Sequence, residues 1–432
     1  MIISFSIQNF GPIKDKQTLS FEADKSIHLE DAYIIKVGNI RLLKLALIYG
    51  ANASGKTTIL EALNFLRGLV LYPEDKKTDM LDFEPFLFDT KNPNEPSLLS
   101  IEFLQKGIKY SYEVKFIKKA IVSEELNLYN PRKANLYKRT TNMSNQFTQI
   151  TFGSTIKIDK SFEKTLAANT LWNNTVLGGY LKTNIDFKEL QNVVEWFRSY
   201  LKPIISNRTS LEDYVTSFIN LGKIDKKSVI GVLKKADFHI SDIKIYEEEA
   251  EIPDSIFEFL KKQAEESKSK TKSTDVQKKI KTVNIEFEHT VNNAKYSLPF
   301  ELESSGTRRY YGFAGLLTQL LNEPTLLSID ELESSLHPDL YEHFLISFLM
   351  NSKESQIIAS THYRDILNNK NIFRNDAIWF TDKNENCATE LYSLADFDSS
   401  VVRDTSNVLN AYKSGKLGAT PNTGDYFIET ER

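Results

Sequence analysis

Apolar and polar residues alternate along the first part of this chain in a way that predicts strands. Residues 3–7 and 19–21 alternate on either side of Gly11 and Pro12, which are turn formers. Residues 42–49 are instead an almost unbroken apolar run, as expected for a strand buried on both faces. We therefore expect an antiparallel strand pair followed by a strand inside the core.

Two later segments have the alternation of β-hairpins. They are residues 101–116, with a turn at Lys106-Gly107, and residues 283–300, with a turn at Asn292-Asn293. Residues 120–160 are polar and also strand-like. The pattern thus predicts β-structure on both sides of a central region.

The central region, residues 162–236, has its apolar residues at helical spacing. One amphipathic face, ended by Pro203, consists of Leu190, Val193, Val194, Phe197 and Leu201. A second face ends near Gly222. Because no heptad pattern persists beyond a few turns, we expect a compact helical insertion rather than a coiled coil. Residues 261–281 contain eight lysines and predict a solvated linker.

The clearest chemical motif is the segment Gly50-Ala51-Asn52-Ala53-Ser54-Gly55-Lys56-Thr57, which fits the P-loop pattern GxxxxGK[ST]. The buried strand precedes it, and apolar residues at helical spacing follow it over 59–69. In that context backbone N–H groups and the helix N-terminus cradle phosphates. Lys56 would reach the β- and γ-phosphates, and the Thr57 hydroxyl would ligate Mg²⁺. The predicted nucleotide-binding residues here are Gly50, Asn52, Ala53, Ser54, Gly55, Lys56, Thr57 and Thr58.

Two short apolar runs further along the chain end in residues suited to phosphate chemistry. Residues 325–329 lead into Asp330 and Glu331, which predicts two carboxylates at the carboxyl end of a buried strand. Asp330 would hold Mg²⁺, and Glu331 would position and activate the attacking water. If the strand continues through them, the two side chains point to opposite faces. A second run ends at His362, which could hydrogen-bond the γ-phosphate or the water.

Ser304, Ser305 and Gly306 precede another predicted helix. Serine is a favourable N-cap residue, and glycine allows close approach of the backbone. The segment is therefore either a simple capped helix or a second anion site that contacts a phosphate bound elsewhere.

The order of these four motifs resembles the head of an ABC-class ATPase, and SMC-like heads more than transporter domains. The resemblance implies an α/β fold with a mixed central sheet, an N-terminal antiparallel β lobe and a helical insertion. It also implies ATP and Mg²⁺, bound between two heads that sandwich two nucleotides. Ser304 and Gly306 match the signature that contacts the γ-phosphate of the opposite head, although Glu303 replaces its leading leucine. Asp330 and Glu331 match the Walker B acids, and His362 matches the switch histidine.

A narrower resemblance is to bacterial stand-alone "AAA family" ABC ATPases of abortive-infection and anti-phage systems. It is carried by Phe5–Ile13, the Glu-Ser-Ser-Gly-Thr block at 303–307, Ser334–Pro338 and Ser414–Asn422. His337-Pro338 lies where that class has its D-loop aspartate. The implied organisation is an N-terminal ATPase lobe at 1–160, a helical insertion and linker at 161–282, and a C-terminal ATPase lobe at 283–432.

Composition adds limits on location and partners. Lysine plus arginine (54) nearly balances aspartate plus glutamate (58), so the net charge favours no particular partner, and a local nucleic-acid patch stays open. The single cysteine, Cys387, allows no internal disulfide and suits a reducing cytosol. No apolar run is long enough to span a bilayer. These features predict a soluble cytoplasmic protein without a membrane partner.

These features predict a Mg²⁺-dependent ATPase that forms a homodimer or a higher homo-oligomer through the nucleotide sandwich. The leading hypothesis is a sensor or regulatory ATPase of a defence system, with a nuclease or toxin as its effector. The alternative is an SMC-like repair or chromosome ATPase that clamps DNA, for which long heptad arms would be expected. A built-in nuclease is disfavoured because only about 70 residues follow His362, which is small for an added domain.

Overall fold

The computed structural model describes residues 1–154, 156, 158–206, 208–251, 279–397 and 408–421. Two compact units make up the chain: Met1–Thr209 with Leu320–Ser334 and Leu345–Arg432, and Ser210–Gln319 with Ser335–Phe344. The division at residues 160 and 282 that the sequence suggested stays a prediction.

The described strands are β1 (Ile2–Gln8), β2 (Gln17–Ser20), β3 (Ile34–Val37), β4 (Ile40–Leu43), β5 (Leu45–Gly50), β6 (Ser97–Gln105), β7 (Ile108–Ile117), β8 (Ala120–Tyr129), β9 (Lys133–Asn142), β10 (Phe147–Phe152), β11 (Ile240–Glu251), β12 (Lys279–Val291), β13 (Ala294–Pro299), β14 (Leu326–Ile329), β15 (Gln356–Ser360), β16 (Ile378–Lys383) and β17 (Thr389–Ser393).

The described α-helices are α1 (Glu30–Tyr33), α2 (Lys56–Leu71), α3 (Lys160–Asn169), α4 (Val176–Leu181), α5 (Lys188–Glu195), α6 (Leu211–Asn220), α7 (Lys226–Lys235), α8 (Ser305–Asn322), α9 (Pro338–Asn351) and α10 (Val408–Lys413). Within the described ranges, no helix combines the length and the apolar character that crossing a bilayer requires.

A five-stranded sheet lies at the centre of the first unit, in the order β14-β15-β5-β16-β17. The first four strands are parallel, and β17 runs antiparallel to β16. Every residue of β5 is buried, as the apolar run predicted. Because the parallel strands end at one edge, the residues that follow β5, β14 and β15 meet there. The mixed α/β fold class is confirmed.

The prediction of one strand over 42–49 was wrong at its start. Leu42 and Leu43 belong to β4, which pairs with β3 in a separate two-stranded sheet. Lys44 separates β4 from β5, and its buried Nζ donates to the Leu349 carbonyl at 2.9 Å. The apolar run did not reveal this change of sheet, because Leu42 and Leu43 at the end of β4 are as buried as the residues of β5.

The helical face predicted to run through Leu201 also ends earlier. Helix α5 stops at Glu195, a π-helical turn spans Trp196–Tyr200, and Leu201 is extended. Leu201 and Ile205 form parallel bridges with Leu326 and Ile329 of β14. The interior of a helix excludes Pro203, whereas a segment at the margin of a sheet accommodates it.

An antiparallel sheet forms the second layer of the first unit, in the order β10-β9-β8-β7-β6-β1-β2. The predicted β1–β2 pair and the hairpin at Lys106-Gly107 are both confirmed. Phe116 of β7 contacts Phe65 of α2, with ring centroids 5.3 Å apart, and Phe83, in the segment between α2 and β6, lies 5.6 Å from the same ring. Aromatic packing of this kind fixes α2, whose first residue is Lys56.

A buried carboxylate, Glu124 of β8, connects helix α4 to this sheet through hydrogen bonds. Glu124 Oε1 accepts hydrogen bonds from the hydroxyls of Tyr112 (2.9 Å) and Tyr137 (2.6 Å). Its Oε2 accepts the backbone N–H of Val176 at 2.8 Å, at the start of α4. Burial raises the pKa of Glu124, and the neighbouring Arg139 opposes that shift. Removing one partner of such a network leaves buried polar groups unpaired. The network therefore specifies a single arrangement of α4 on this sheet.

The second unit contains α6, α7, the sheet β11-β12-β13 and α8. The hairpin at Asn292-Asn293 is confirmed, whereas β11, which pairs with β12, was not predicted. A Cβ on Gly312 or Gly315 of α8 would collide with Leu211 or Val215 of α6, so the two helices pack closely. Most of the predicted linker at 261–281 lies outside the described residues, and residues 279–281 begin β12.

Candidate functional site

The loop between β5 and α2 has a backbone that only certain residues adopt easily. Ala53 has a φ of 61° and Gly55 a φ of 104°. A Cβ on Gly55 would lie 2.5 Å from Thr389 Oγ1, and one on Gly50 would collide with Thr381 and Ser54. Close contacts therefore require both glycines of the pattern, and the left-handed conformation is a second reason for glycine at position 55.

Two threonines of the neighbouring strands hold this loop in place. The hydroxyls of Ser54 and Thr381 are 2.6 Å apart, and Thr389 Oγ1 donates to the Ser54 carbonyl at 2.8 Å. Thr381 lies in β16 and Thr389 in β17. No sequence pattern indicates either residue, because their role depends on the order of strands in the sheet.

Lys56 is buried directly behind the loop. Its Nζ donates to the carbonyl oxygens of Gly50 (3.0 Å) and Ala51 (2.9 Å). Burial lowers the pKa of Lys56, while the charges of Asp330, Glu331 and Glu333 act in the opposite direction. Lys56 is the first residue of α2, and the positive end of the helix dipole there favours an anionic ligand.

The Thr57 hydroxyl and the Asp330 carboxylate meet at this edge of the sheet. Thr57 Oγ1 lies 3.1 Å from Asp330 Oδ1 and 3.0 Å from Oδ2. Mg²⁺ prefers such oxygen ligands and completes its octahedron with water and substrate phosphates. The pair fits that requirement. Across the described ranges, no cluster of three or more His, Cys, Asp or Glu side chains could hold a metal by itself.

Ser360, the last residue of β15, orients both acids that follow β14. Its Oγ accepts the backbone N–H of Glu331 at 2.8 Å and donates to Asp330 Oδ1 at 2.5 Å. β14 ends at Ile329, and Glu331 has a φ of 52°. The strand therefore ends before the two acids, and the condition for their alternation along it is not met. A left-handed turn, and not the strand pleat, sets the direction of the Glu331 side chain.

His362 follows β15 and is held by a third acid. Its backbone N–H donates to Glu333 Oε1 at 2.5 Å. Among the residues that the structure describes, the buried Glu333 Oε2 has no hydrogen-bond partner. Partial burial and the nearby Lys56 lower the pKa of His362, and the carboxylates of Glu333 and Glu331 oppose this. The direction of this shift favours the neutral imidazole, which has one donor and one acceptor nitrogen.

The second unit carries Ser304, Ser305 and Gly306 at the start of α8. Ser304 Oγ accepts the backbone N–H of Thr307 at 3.0 Å, so the predicted capped helix is confirmed. Ser304 and Ser305 are exposed. Glu303, which stands in the place of the expected leucine, lies 2.7 Å from His289 Nε2. Contact with a phosphate stays a prediction for these residues.

The first unit thus brings together the loop, Asp330, Glu331 and His362, as the sequence predicted from strand ends. The individual roles assigned to them stay predictions. Sequence patterns missed Ser360, Glu333, Thr381 and Thr389, which lie at strand ends or turns without a motif of their own.

This fold and site define a P-loop nucleotide-binding protein. Residues 45–166 and 192–363 match the family model described as "AAA domain, putative AbiEii toxin, Type IV TA system". The match spans more than half of the chain, and the protein belongs to this family. The family resemblance inferred from the sequence is confirmed. A comparison with curated proteins found no similar sequence.

Solved structures similar to this chain include heads of SMC proteins. The Smc head bound to the C-winged helix domain of ScpA is 12% identical, with a TM-score of 0.45, and the match covers 91% of this chain and 97% of that one. The SMC head domain from Thermotoga maritima is 13% identical, with a TM-score of 0.39 and coverages of 91% and 98%. A Pyrococcus furiosus Smc head with an extended coiled coil is 11% identical, with a TM-score of 0.40 and coverages of 91% and 96%.

Proposed function

We propose that this protein is a Mg²⁺-dependent ATPase. The observation that carries the proposal is the meeting of Thr57 with Asp330 beside the buried Lys56. Transfer of a phosphoryl group to water depends on positioning and on neutralising charge, more than on covalent help from the protein. Lys56 contributes a cation under the loop, and bound Mg²⁺ supplies further neutralisation of the phosphates.

The acids and the histidine have separate tasks in this proposal. Asp330, with Thr57, orients the ligand sphere of the metal, and Glu331 orients and deprotonates the attacking water. The neutral imidazole of His362 donates a hydrogen bond toward the terminal phosphate. Ser360 supports this division, because its single hydroxyl fixes the relative placement of Asp330 and Glu331.

We further propose that ATP binding joins two copies of the chain. The exposed position of Ser304 and Ser305 at the N-terminus of α8 supports this, because backbone N–H groups there are available to a phosphate held by another copy. Contacts that exist only with ATP would favour the closed dimer, and hydrolysis would release it.

The biological setting that we propose is a defence or toxin–antitoxin system of the abortive-infection type, in the cytoplasm. The description of the family, which names a putative AbiEii toxin and a type IV toxin–antitoxin system, supports this setting. In it, the ATPase cycle controls a separate effector such as a nuclease or toxin.

ATP binding and hydrolysis by the purified full chain test the enzymatic part of the proposal. Wild type should hydrolyse ATP with Mg²⁺ and lose activity with a chelator. Lys56→Ala should lose nucleotide binding, and Glu331→Gln should bind ATP but not hydrolyse it. Unchanged ATP affinity in Lys56→Ala, with the fold intact by circular dichroism, would refute the assignment of the loop.

Expression together with the neighbouring genes tests the biological part. We expect wild type, but not Lys56→Ala, to protect cells from phage or to change the toxicity of an adjacent gene product. ATP hydrolysis that is strongly stimulated by DNA, without any such phenotype, would favour the DNA-clamping alternative.

A further inference from the structure

A cavity of about 710 Å³ opens beside the phosphate loop, on the side of β15 and β16. Its lining includes Gly50, Asn52 and Ser54 of the loop, together with His362 and Arg364. Cavities of this size are typical of small-molecule sites. Since residues of the loop form part of the lining, a ligand bound in this cavity would lie beside the loop.

A turn near the C-terminal end of the described residues also lines the cavity. Thr420 and Pro421 line the cavity there. Ala419, with a φ of 59°, donates its N–H to Asp382 Oδ2 at 2.7 Å, and the Tyr412 hydroxyl donates to its carbonyl at 3.0 Å. The turn is therefore anchored to β16 and α10. This gives a structural role to part of the segment Ser414–Asn422, which no motif explained.

Most charged groups around the cavity are already engaged. Asp382 accepts the N–H groups of Ala419 and Lys383, at 2.7 and 2.8 Å. The Lys383 ammonium donates to the Cys387 carbonyl at 2.8 Å. Arg364 differs: its guanidinium has no hydrogen bond or ion pair with any part of the chain that the structure describes, and the residue is exposed.

An unpaired arginine beside a phosphate-binding loop is suited to one kind of ligand. Guanidinium groups bind phosphate oxygens through two parallel N–H donors, and they keep their charge at any relevant pH. In phosphoryl transfer an arginine supplied by the same chain can stabilise the charge of the terminal phosphate. Arg364 lines the cavity together with His362, Gly50 and Asn52.

We propose that Arg364 contacts the terminal phosphate of the bound nucleoside triphosphate, and thereby lets the site distinguish ATP from ADP. The inference rests on the proposed function, because it requires a nucleotide in the loop. It adds a specificity residue that the family motifs do not include. ADP lacks the phosphate in question, so its affinity should not depend on Arg364.

The test compares the binding of ADP and of a non-hydrolysable ATP analogue, with Mg²⁺, to the full chain by calorimetry. Arg364→Ala should weaken the binding of the ATP analogue roughly ten- to hundredfold, as expected for the loss of a charged hydrogen bond. The binding of ADP should weaken by less than about twofold. Arg364→Lys, which keeps the charge without the paired donors, should be intermediate. Arg132→Ala, at an exposed turn of the β lobe, is the control and should leave both affinities unchanged.

The possible outcomes separate the two proposals. If wild type binds neither nucleotide, the proposed function fails. If wild type binds both nucleotides, but Arg364→Ala lowers the two affinities equally or lowers neither affinity, only the inference about Arg364 is overturned. Equal melting temperatures of the variants would exclude misfolding as the cause of a loss, and Arg364→Lys provides a second reading if the alanine variant is unstable.

Discussion

Thr57 and Asp330 are separated by 273 positions in the chain, yet the hydroxyl of one lies within hydrogen-bond distance of both carboxylate oxygens of the other. The sequence predicted each residue from its own surroundings, a glycine loop and a strand end. Their contact gives the prediction of a metal site a geometric basis. The contact also allows the metal requirement to be tested by removing a single oxygen atom from the site.

Replacing Thr57 with valine removes the hydroxyl and keeps the shape of the side chain. We expect the Mg²⁺ concentration for half-maximal ATP hydrolysis to rise roughly tenfold or more, because one oxygen ligand is lost. Steady-state assays over a Mg²⁺ titration measure this. Thr151→Val, on the exposed side of β10, is the control. An unchanged Mg²⁺ requirement in Thr57→Val would remove Thr57 from the metal site.

Glu333 offers a second test at the residue scale, because it holds the backbone of His362. Glu333→Ala loses the acceptor, so we expect kcat to fall roughly tenfold with little change in KM, as for a misplaced catalytic group. Glu333→Gln keeps an acceptor oxygen and should retain most activity.

The matched control for Glu333 is Glu390→Ala, which removes an exposed glutamate of β17. If glutamine is as harmful as alanine at position 333, the charge of Glu333 matters more than its hydrogen bond to His362. Full activity of Glu333→Ala would contradict any role in placing the histidine.

At the scale of elements, the phosphate loop is shaped by strands that are distant in the sequence. The first glycine of the loop lies against Thr381 of β16, and the second against Thr389 of β17. The motif alone explains why glycine suits the bend. The tertiary structure adds that the side of the loop facing these two strands has no room for a methyl group.

Gly55→Ala should therefore destabilise the protein by more than the cost of placing an alanine in a left-handed conformation. We expect Gly107→Ala, in an open hairpin turn with a φ of 76°, to lower the free energy of unfolding by about 1 kcal/mol. Gly55→Ala should cost more, about 2–3 kcal/mol, because of the contact with Thr389. Denaturant unfolding of both variants measures the difference. Equal costs would show that Thr389 does not restrict the loop.

At the scale of the whole molecule, the proposed dimer makes each site composite. Lys56 of one copy and Ser304 of another would act on the same nucleotide. Ser304→Arg and Lys56→Ala should each abolish hydrolysis alone. A mixed dimer of the two variants would contain one site in which both residues are wild type, and the other site would have neither.

An equal mixture of the two variants should thus recover activity, about one quarter of wild type if dimers form at random. Assays of each variant alone and of the mixture measure this, and Lys56→Ala mixed with itself at the same total concentration is the control. No recovery, with dimers visible by light scattering, would contradict a site shared between copies.

The phosphate loop, its flanking strand and helix, and the acids and histidine at strand ends follow from sequence, because each depends on a pattern within a few neighbouring residues. The hairpins are determined in the same way, by alternation and turn residues. The break at Lys44 and the extended segment after Tyr200 were decided by tertiary pairing, since an apolar residue is equally suited to either partner.

Only the strand order brings Ser360 to both acids, Thr381 and Thr389 to the loop, and Arg364 to the cavity. Hydrogen bonds and close contacts between segments far apart in the chain produce no periodic pattern in the sequence. Each of them depends on one correctly placed atom, and not on a repeated alternation of apolar and polar residues. The local sequence thus determined what chemistry is present, and the packing of the sheet determined how the chemical groups are held together.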